Sequence, residues 1–331
     1  MAVREQIEDF WYDRVQPKLP DMRGLHKKPA ARYGIGVIVL AVLFYYLIGA
    51  LIIQEIDDDP AFAISQRSIS NGQSMTVAMT VALLDREVNQ NGWTANDPFT
   101  SPAVLLDNMP NYQKGMVQAL GRFAFELADQ VGRRRGSSQI DPDLQSAAGL
   151  LQYPGDVWHW DPTVSLSPTA TSEAQYNKAR RALLNYNERV ARGDAVFESR
   201  ADNLLATLDR MALDLGSSSA VIENQIENPS GWFIDTEGDD VFYTTKGQIY
   251  AYYMLVKALR HDFNNVIQER ELSQVWALLE ESLQDGASLQ PLVIINGDPD
   301  SQILPSHLAA QGFYLLRART QMRSITNILL K

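Results

Sequence analysis

A chain of 331 residues with a formal charge of -11 and no cysteine is long enough for two domain-sized units and needs no disulfide chemistry, which suits an oxidising compartment without requiring one. The acidic balance excludes a nucleic-acid binder, since phosphate backbones repel such a surface and no basic stripe interleaved with aromatics runs along the chain. Hydrophobic residues at 45% and charged residues at 21% exclude wholesale disorder.

The first segment, residues 1–33, carries Arg4, Arg14, Lys18, Arg23, Lys27, Lys28 and Arg32 together with the aromatic run Phe10, Trp11 and Tyr12. Residues 34–53 hold no charge, and about twenty helical residues span a hydrocarbon core of roughly 30 Å. The acids Glu55, Asp57, Asp58 and Asp59 follow at once. The apolar run is too long for a cleaved leader and lacks a small-residue cleavage site, so it reads as a permanent single-pass anchor in contact with membrane lipid. The charge asymmetry puts the N-terminus in the cytoplasm and everything after the span outside, in the periplasm of a Gram-negative cell.

Most of the remainder reads as helix, which makes the fold class all-α. Tyr176, Leu183, Val190, Phe197, Leu204 and Met211 recur at a seven-residue step, with a break expected near Gly193 and Asp194. Amphipathic stripes follow at Ile249, Tyr253, Val256, Leu259 and Phe263, and at Leu308, Leu315, Met322 and Leu329. Only "PLVIING" resembles a strand. The last stretch, residues 301–331, carries Arg317, Arg319, Arg323 and Lys331 and no acid, so its apolar stripe is expected to dock on the acidic remainder.

An internal echo organises this part. "LLDREVNQNGW" at residues 83–93 matches "VIENQIENPSGW" at 221–232, Tyr112 with Lys114 and Gly115 returns as Tyr243 with Lys246 and Gly247, and "DPTVSLSP" at 161–168 returns as "DPDSQILP" at 298–305. The matches are colinear at a step of about 135 residues, which predicts two tandem helical repeats at 59–193 and 194–331. Gly92 and Gly231 suit helix ends, with Trp93 and Trp232 folding back on the core. Tyr112, Lys114, Tyr243 and Lys246 are the candidate binding residues, because a hydroxyl and an ammonium near a helix start can hold an anion; Trp93 and Trp232 join them as candidate partner contacts.

Catalytic signatures are missing. There is no zinc-protease helix, nucleophile elbow, phosphate-binding loop or Ser-x-x-Lys motif, and His26, His159, His261 and His307 show no ligand spacing. His159 between Trp158 and Trp160 reads as loop packing. "DTEGDD" at 235–240 alternates acids as calcium loops do but lacks the glycine and the distant acid such a loop needs. No metal or cofactor is expected from the sequence, and it singles out no catalytic residue. The reading is a non-enzymatic membrane-anchored module that binds an envelope protein or glycan. An envelope hydrolase using carboxylates in a cleft between the repeats, a small-ligand sensor, and assembly as a homo-oligomer stay open.

The anchor together with "SPAVLLDNMPNYQKGM", "SRADNLL", "FYTTKGQIYAYYMLVKALRHDF" and "LPSHLAAQGFYLLRA" resembles the bacterial domain of unknown function 2333 family. That resemblance covers nearly the whole chain and implies an uncharacterised single-pass protein of the inner membrane, with no activity or site residue to transfer.

Overall fold

The computed structural model describes residues 29–53, 56–64, 70–98, 100–102, 107–134, 141–160, 167–231, 235–291, 293–297 and 305–331. They are all-helical, with one isolated antiparallel bridge, Asn296 to Ser306, and no strand among the described residues. The strand-like "PLVIING" therefore contributes a bridge and no sheet. The chain divides into two compact units, Met1–Ile52 and Ile53–Lys331.

Helix α1, Pro29–Ile53, is the element described in the first unit. It starts on a proline, which suits a first turn whose amide donors lack intrahelical partners. Its large apolar side chains, among them Val37, Leu40, Phe44 and Leu47, are exposed. The described side chains of α1 run from residue 33 to 49. Among the described residues no helix is long and apolar enough to cross a membrane.

The second unit holds α2 Met75–Asp85, α3 Asn108–Arg134, α4 Pro142–Leu150, α5 Ser172–Arg192, α6 Ala201–Glu227, α7 Thr236–Asp262, the short α8 Asn264–Glu269, α9 Ser273–Ala287 and α10 His307–Leu329. Local chemistry explains most boundaries. Ser74, Asp141, Thr171, Asp235 and Ser306 accept hydrogen bonds from first-turn amides of the helices they precede. The start of α2 gains a second cap from the far end of α7, where the Asp262 carboxylate accepts from the Met75 and Thr76 amides at 2.8 and 2.9 Å. Helix α5 stops where the sequence foretells, at Gly193, whose φ of 79° is left-handed. Asp235 of "DTEGDD" is this kind of cap, and the acids after it lie on α7 rather than in a loop.

One hydrophobic core runs through these helices. At its centre α3 crosses α7 at very short range: a Cβ on Gly115 would collide with the Thr244 carbonyl, and one on Gly247 with the Tyr112 carbonyl. Helix α7 also meets α2, α6 and α9, and Phe242, Ile249, Tyr250, Tyr252, Met254, Leu255 and Val256 are all buried. The single stripe expected at 249–263 is thus too narrow a description, because a helix with neighbours on every side is apolar all round. Helix α10 packs on α6 and α9, with Leu308, Leu315 and Met322 at 0–1% exposure.

Two outcomes follow from this packing. Leu315→Asp places an unpaired charge in the core and is expected to cost several kcal/mol, whereas Arg323→Glu on the exposed face should change stability by less than about 1 kcal/mol; chemical denaturation of both variants checks this. Gly247→Ala should lower stability by about 1–3 kcal/mol or more through overpacking, whereas Gly149→Ala, with open space at its Cβ, should be neutral or mildly stabilising.

Candidate functional site

The residues that follow α1 in sequence form an acidic strap, residues 57–60, laid on the second unit of which they are part. Helix α7 supplies most of its grip. Lys246 Nζ lies 2.6 Å from Asp58 Oδ2 and donates to the Leu289 carbonyl at 2.5 Å. One turn on, the Tyr250 hydroxyl donates to the Asp59 carbonyl at 2.9 Å, and Lys257 Nζ donates to the Pro60 carbonyl at 2.8 Å. These positions lie four and then seven residues apart, about one and two helical turns, so one face of α7 meets the strap. From α3 the Tyr112 hydroxyl donates to the Asp57 carbonyl at 2.9 Å, and from the end of α9 the Gln290 amide donates to both Asp58 oxygens at 2.9 Å.

The fourth wall is Arg86, at the point where α2 widens into a π turn, Arg86–Gln90. Such turns carry an extra residue and re-aim side chains. The Arg86 guanidinium is 2% exposed. It reaches Asp57 at 3.3 Å, Glu87 at 2.9 Å and the Tyr250 hydroxyl at 2.8 Å. The rings of Phe62 and Tyr250 lie 4.8 and 5.0 Å from it, a cation–π arrangement that favours a desolvated cation. Burial works against the charge on Arg86, but Glu87 and the two tyrosines outweigh it and hold the guanidinium ionised. Burial pushes the Glu87 carboxyl up while Arg86 and Gln113 pull it back. Burial also raises the Tyr112 and Tyr250 hydroxyls and lowers Lys246, whose ammonium Asp58 helps retain. Every grip on the strap is therefore a donor to a carbonyl or carboxylate. The arrangement holds an extended acidic segment, and Lys246 binds an anion that belongs to its own chain.

The sequence-derived candidates separate into several environments. Tyr112 and Lys246 come together on the strap, although Lys246 lies well inside α7 rather than near its start. Tyr243 is buried nearby, its hydroxyl pushed up to about 12 first by burial and then by Asp239. Lys114 is exposed and lines a groove with Gln118, Gly121, Arg122, Phe125 and Gln152, with a volume of about 510 Å³. Trp93 is buried, donates its indole N–H to the Gly155 carbonyl at 2.7 Å and meets Tyr176 edge-on, so it packs the core. Trp232 and residues 1–28 lie outside the described residues. Sequence reasoning missed Arg86, Tyr250, Lys257 and Gln290 as parts of one site. It used the acids at 57–59 as a topology signal, although three acids before a proline also announce a segment in need of cations.

A second polar region lies at the start of α7. The Asp239 and Asp240 carboxyls are each pushed up to about 6, first by burial and then by Asp107 and, for Asp239, by Asp240. Asn111 donates to Asp240 at 2.6 Å. Asp240 also lines a cavity of about 300 Å³ between α3, α6 and α7 with Gln118, Arg122, Asp214, Gln248 and Tyr252. Among the described residues no cluster of histidine and acid side chains is arranged to hold a metal ion.

The second unit is thus all-helical among the described residues, with polar side chains of its interior gripping residues 57–60 and two open polar hollows beside α3. The chain belongs to the DUF2333 family, described as an uncharacterized protein conserved in bacteria, whose model matches residues 37–231 and 223–331. No curated protein and no solved structure matches it.

Lys246→Met removes the partner of a carboxylate that is 11% exposed and should cost about 3–5 kcal/mol. Limited proteolysis should then cut within residues 53–64 sooner than in the unaltered protein. The Asp239–Asp240 pair makes the opposite kind of contribution. Their folded pKa values lie above the unfolded ones, so the stability they confer is full below about pH 4 and lost as pH rises through about 6. Asp240→Asn should accordingly be more stable than the unaltered protein at pH 7.5, with the difference closing by pH 4 in paired denaturation curves.

Proposed function

We propose that this chain is a single-pass inner-membrane protein whose exported unit, built from two duplicated helical halves, binds an envelope partner without catalysing a reaction. The strap carries this reading. Three residues, Gln54, Glu55 and Ile56, stand between the end of α1 and residues 57–60 in the sequence, too few to make a long free tether for a partner bound to the helical unit. The anchor is supported by the sequence, whose uncharged stretch 34–53 amounts to about 30 Å of helix at 1.5 Å per residue and runs past residue 49, the last α1 side chain described. In water its large side chains would forgo about 1.5–3 kcal/mol each. The basic flank before it and the acids after it support an outward C-terminus.

Duplication is supported by the order of helices. Taking α2, α3, α4 and α5 against α6, α7, α9 and α10, the first helix of each half packs on its fourth, the second on the third and the third on the fourth. The halves meet through the two second helices at their paired glycines. Gly247 lies 132 positions after Gly115, and Thr244 lies 132 after Tyr112, so the two close contacts exchange under a two-fold rotation.

A second reading, an envelope hydrolase, is favoured by one observation: Asp240, pushed up to about 6, shares a cavity with Asp214, and a general acid needs such a raised carboxyl. Reporter fusions and activity assays test both readings. A reporter active only outside the cytoplasm should work after Lys331 and stay silent near residue 20; the reverse pattern overturns the topology. Turnover of a cell-wall or ester substrate that Asp240→Asn abolishes would replace the binding module with the hydrolase.

A further inference from the structure

The duplicated reading has a consequence for the groove along α3. The α7 residues that grip or flank the strap are Lys246, Tyr250, Tyr253 and Lys257. Counting back the 132 positions that relate Gly247 to Gly115, they become Lys114, Gln118, Gly121 and Phe125, and all four line the 510 Å³ groove. The other grip comes from Leu289 and Gln290 after α9. Their counterparts after α4, in the parallel runs "GASLQ" and "AGLLQ", are Leu151 and Gln152, and both line the same groove. The α3 groove is thus the equivalent, in the first half, of the place where the second half holds residues 57–60.

The two grooves differ in ways that leave this one open. Tyr250 and Tyr253 are replaced by the smaller Gln118 and Gly121, and a Cβ on Gly121 would already press on Leu151 at 3.2 Å. Val196, Phe197 and Glu198, which precede α6, lie beside Leu127, Gln130 and Val131 farther along α3, and none of residues 194–200 lines this groove. Lys114 and Arg122 line the groove and no acid does, on a chain whose formal charge is -11. Arg122 sits 3.9 Å from Asp214 at 56% side-chain exposure, which leaves its charge largely in water.

We infer that the α3 groove is the docking site for an extended acidic segment of a partner protein, held much as residues 57–60 are held: a carboxylate between Lys114 and Gln152, a main-chain carbonyl facing Gln118, and an apolar side chain against Phe125. The occupant is a peptide rather than a glycan, because the equivalent groove binds main-chain carbonyls and a carboxylate. This rests on the duplicated halves, and a partner that docks elsewhere would leave the membrane-anchored reading standing.

A heptapeptide with the sequence of residues 56–62, IDDDPAF, carrying a photoreactive group, tests it on the full chain in detergent. Labelling is expected within residues 114–125 and 151–153. It should fall on the order of tenfold in Lys114→Glu, whose melting curve should stay unchanged because Lys114 is exposed, and fall similarly for the peptide INNNPAF. Equal labelling by both peptides, labelling confined to α7, or no labelling overturns the assignment. If the reporter fusions succeed while the peptide fails, the groove assignment alone falls.

Discussion

The close approach of α3 to α7 at Gly115 and Gly247 sets the position of nearly everything else. Two helices whose backbones touch leave no room for side chains between them, so the larger residues on either side are forced outward into flanking grooves. Tyr112, whose carbonyl is part of the contact, turns its side chain toward the strap, and Lys246, beside Gly247, is turned toward the same place. The polar site is therefore a by-product of a packing constraint. The α3 face carries Lys114 in the corresponding position.

A buried lysine and a buried arginine are costly to desolvate, and their burial needs an explanation beyond stability. The strap provides one. Its carbonyl oxygens and its carboxylates at Asp57 and Asp58 meet donors from α2, α3, α7 and α9, so the segment that follows α1 is locked in one conformation by four separate elements. Loss of any one donor leaves a polar group without its partner in a poorly solvated place. Direction and placement are what the cations supply, since an apolar strap of similar shape would pack with less desolvation and less specificity.

Much of the helical framework was legible in the sequence. The seven-residue stripe of α10 and the break at Gly193 depend on neighbours in sequence, and local pattern finds them; the caps at Asp141 and Asp235 are equally local, but sequence reasoning missed them. The exposure of α7 on all sides to other helices left a trace as well, since between Ile249 and Leu259 only Lys257 is charged, yet a stripe drawn on one face hid it. The site was harder. Lys246 stands out in the sequence as a candidate anion binder, yet its anion, Asp58, comes from the far end of the unit and no local pattern names it. The π turn that aims Arg86 has no sequence signature, and Arg86 beside Glu87 reads as an exposed pair on any amphipathic helix. Long-range pairing of charges decides these roles, and no local period encodes it.

The absence of cysteine from the sequence allows a direct test of where the strap lies. In the full chain, Asp58→Cys with Gln290→Cys should join rapidly and almost completely under a short thiol crosslinker, while Asp58→Cys with Gln152→Cys, the corresponding position on the other groove, should not. Equal or reversed yields in the two pairs would contradict the account, because they would mean that residues 57–60 are not held between α7 and the end of α9.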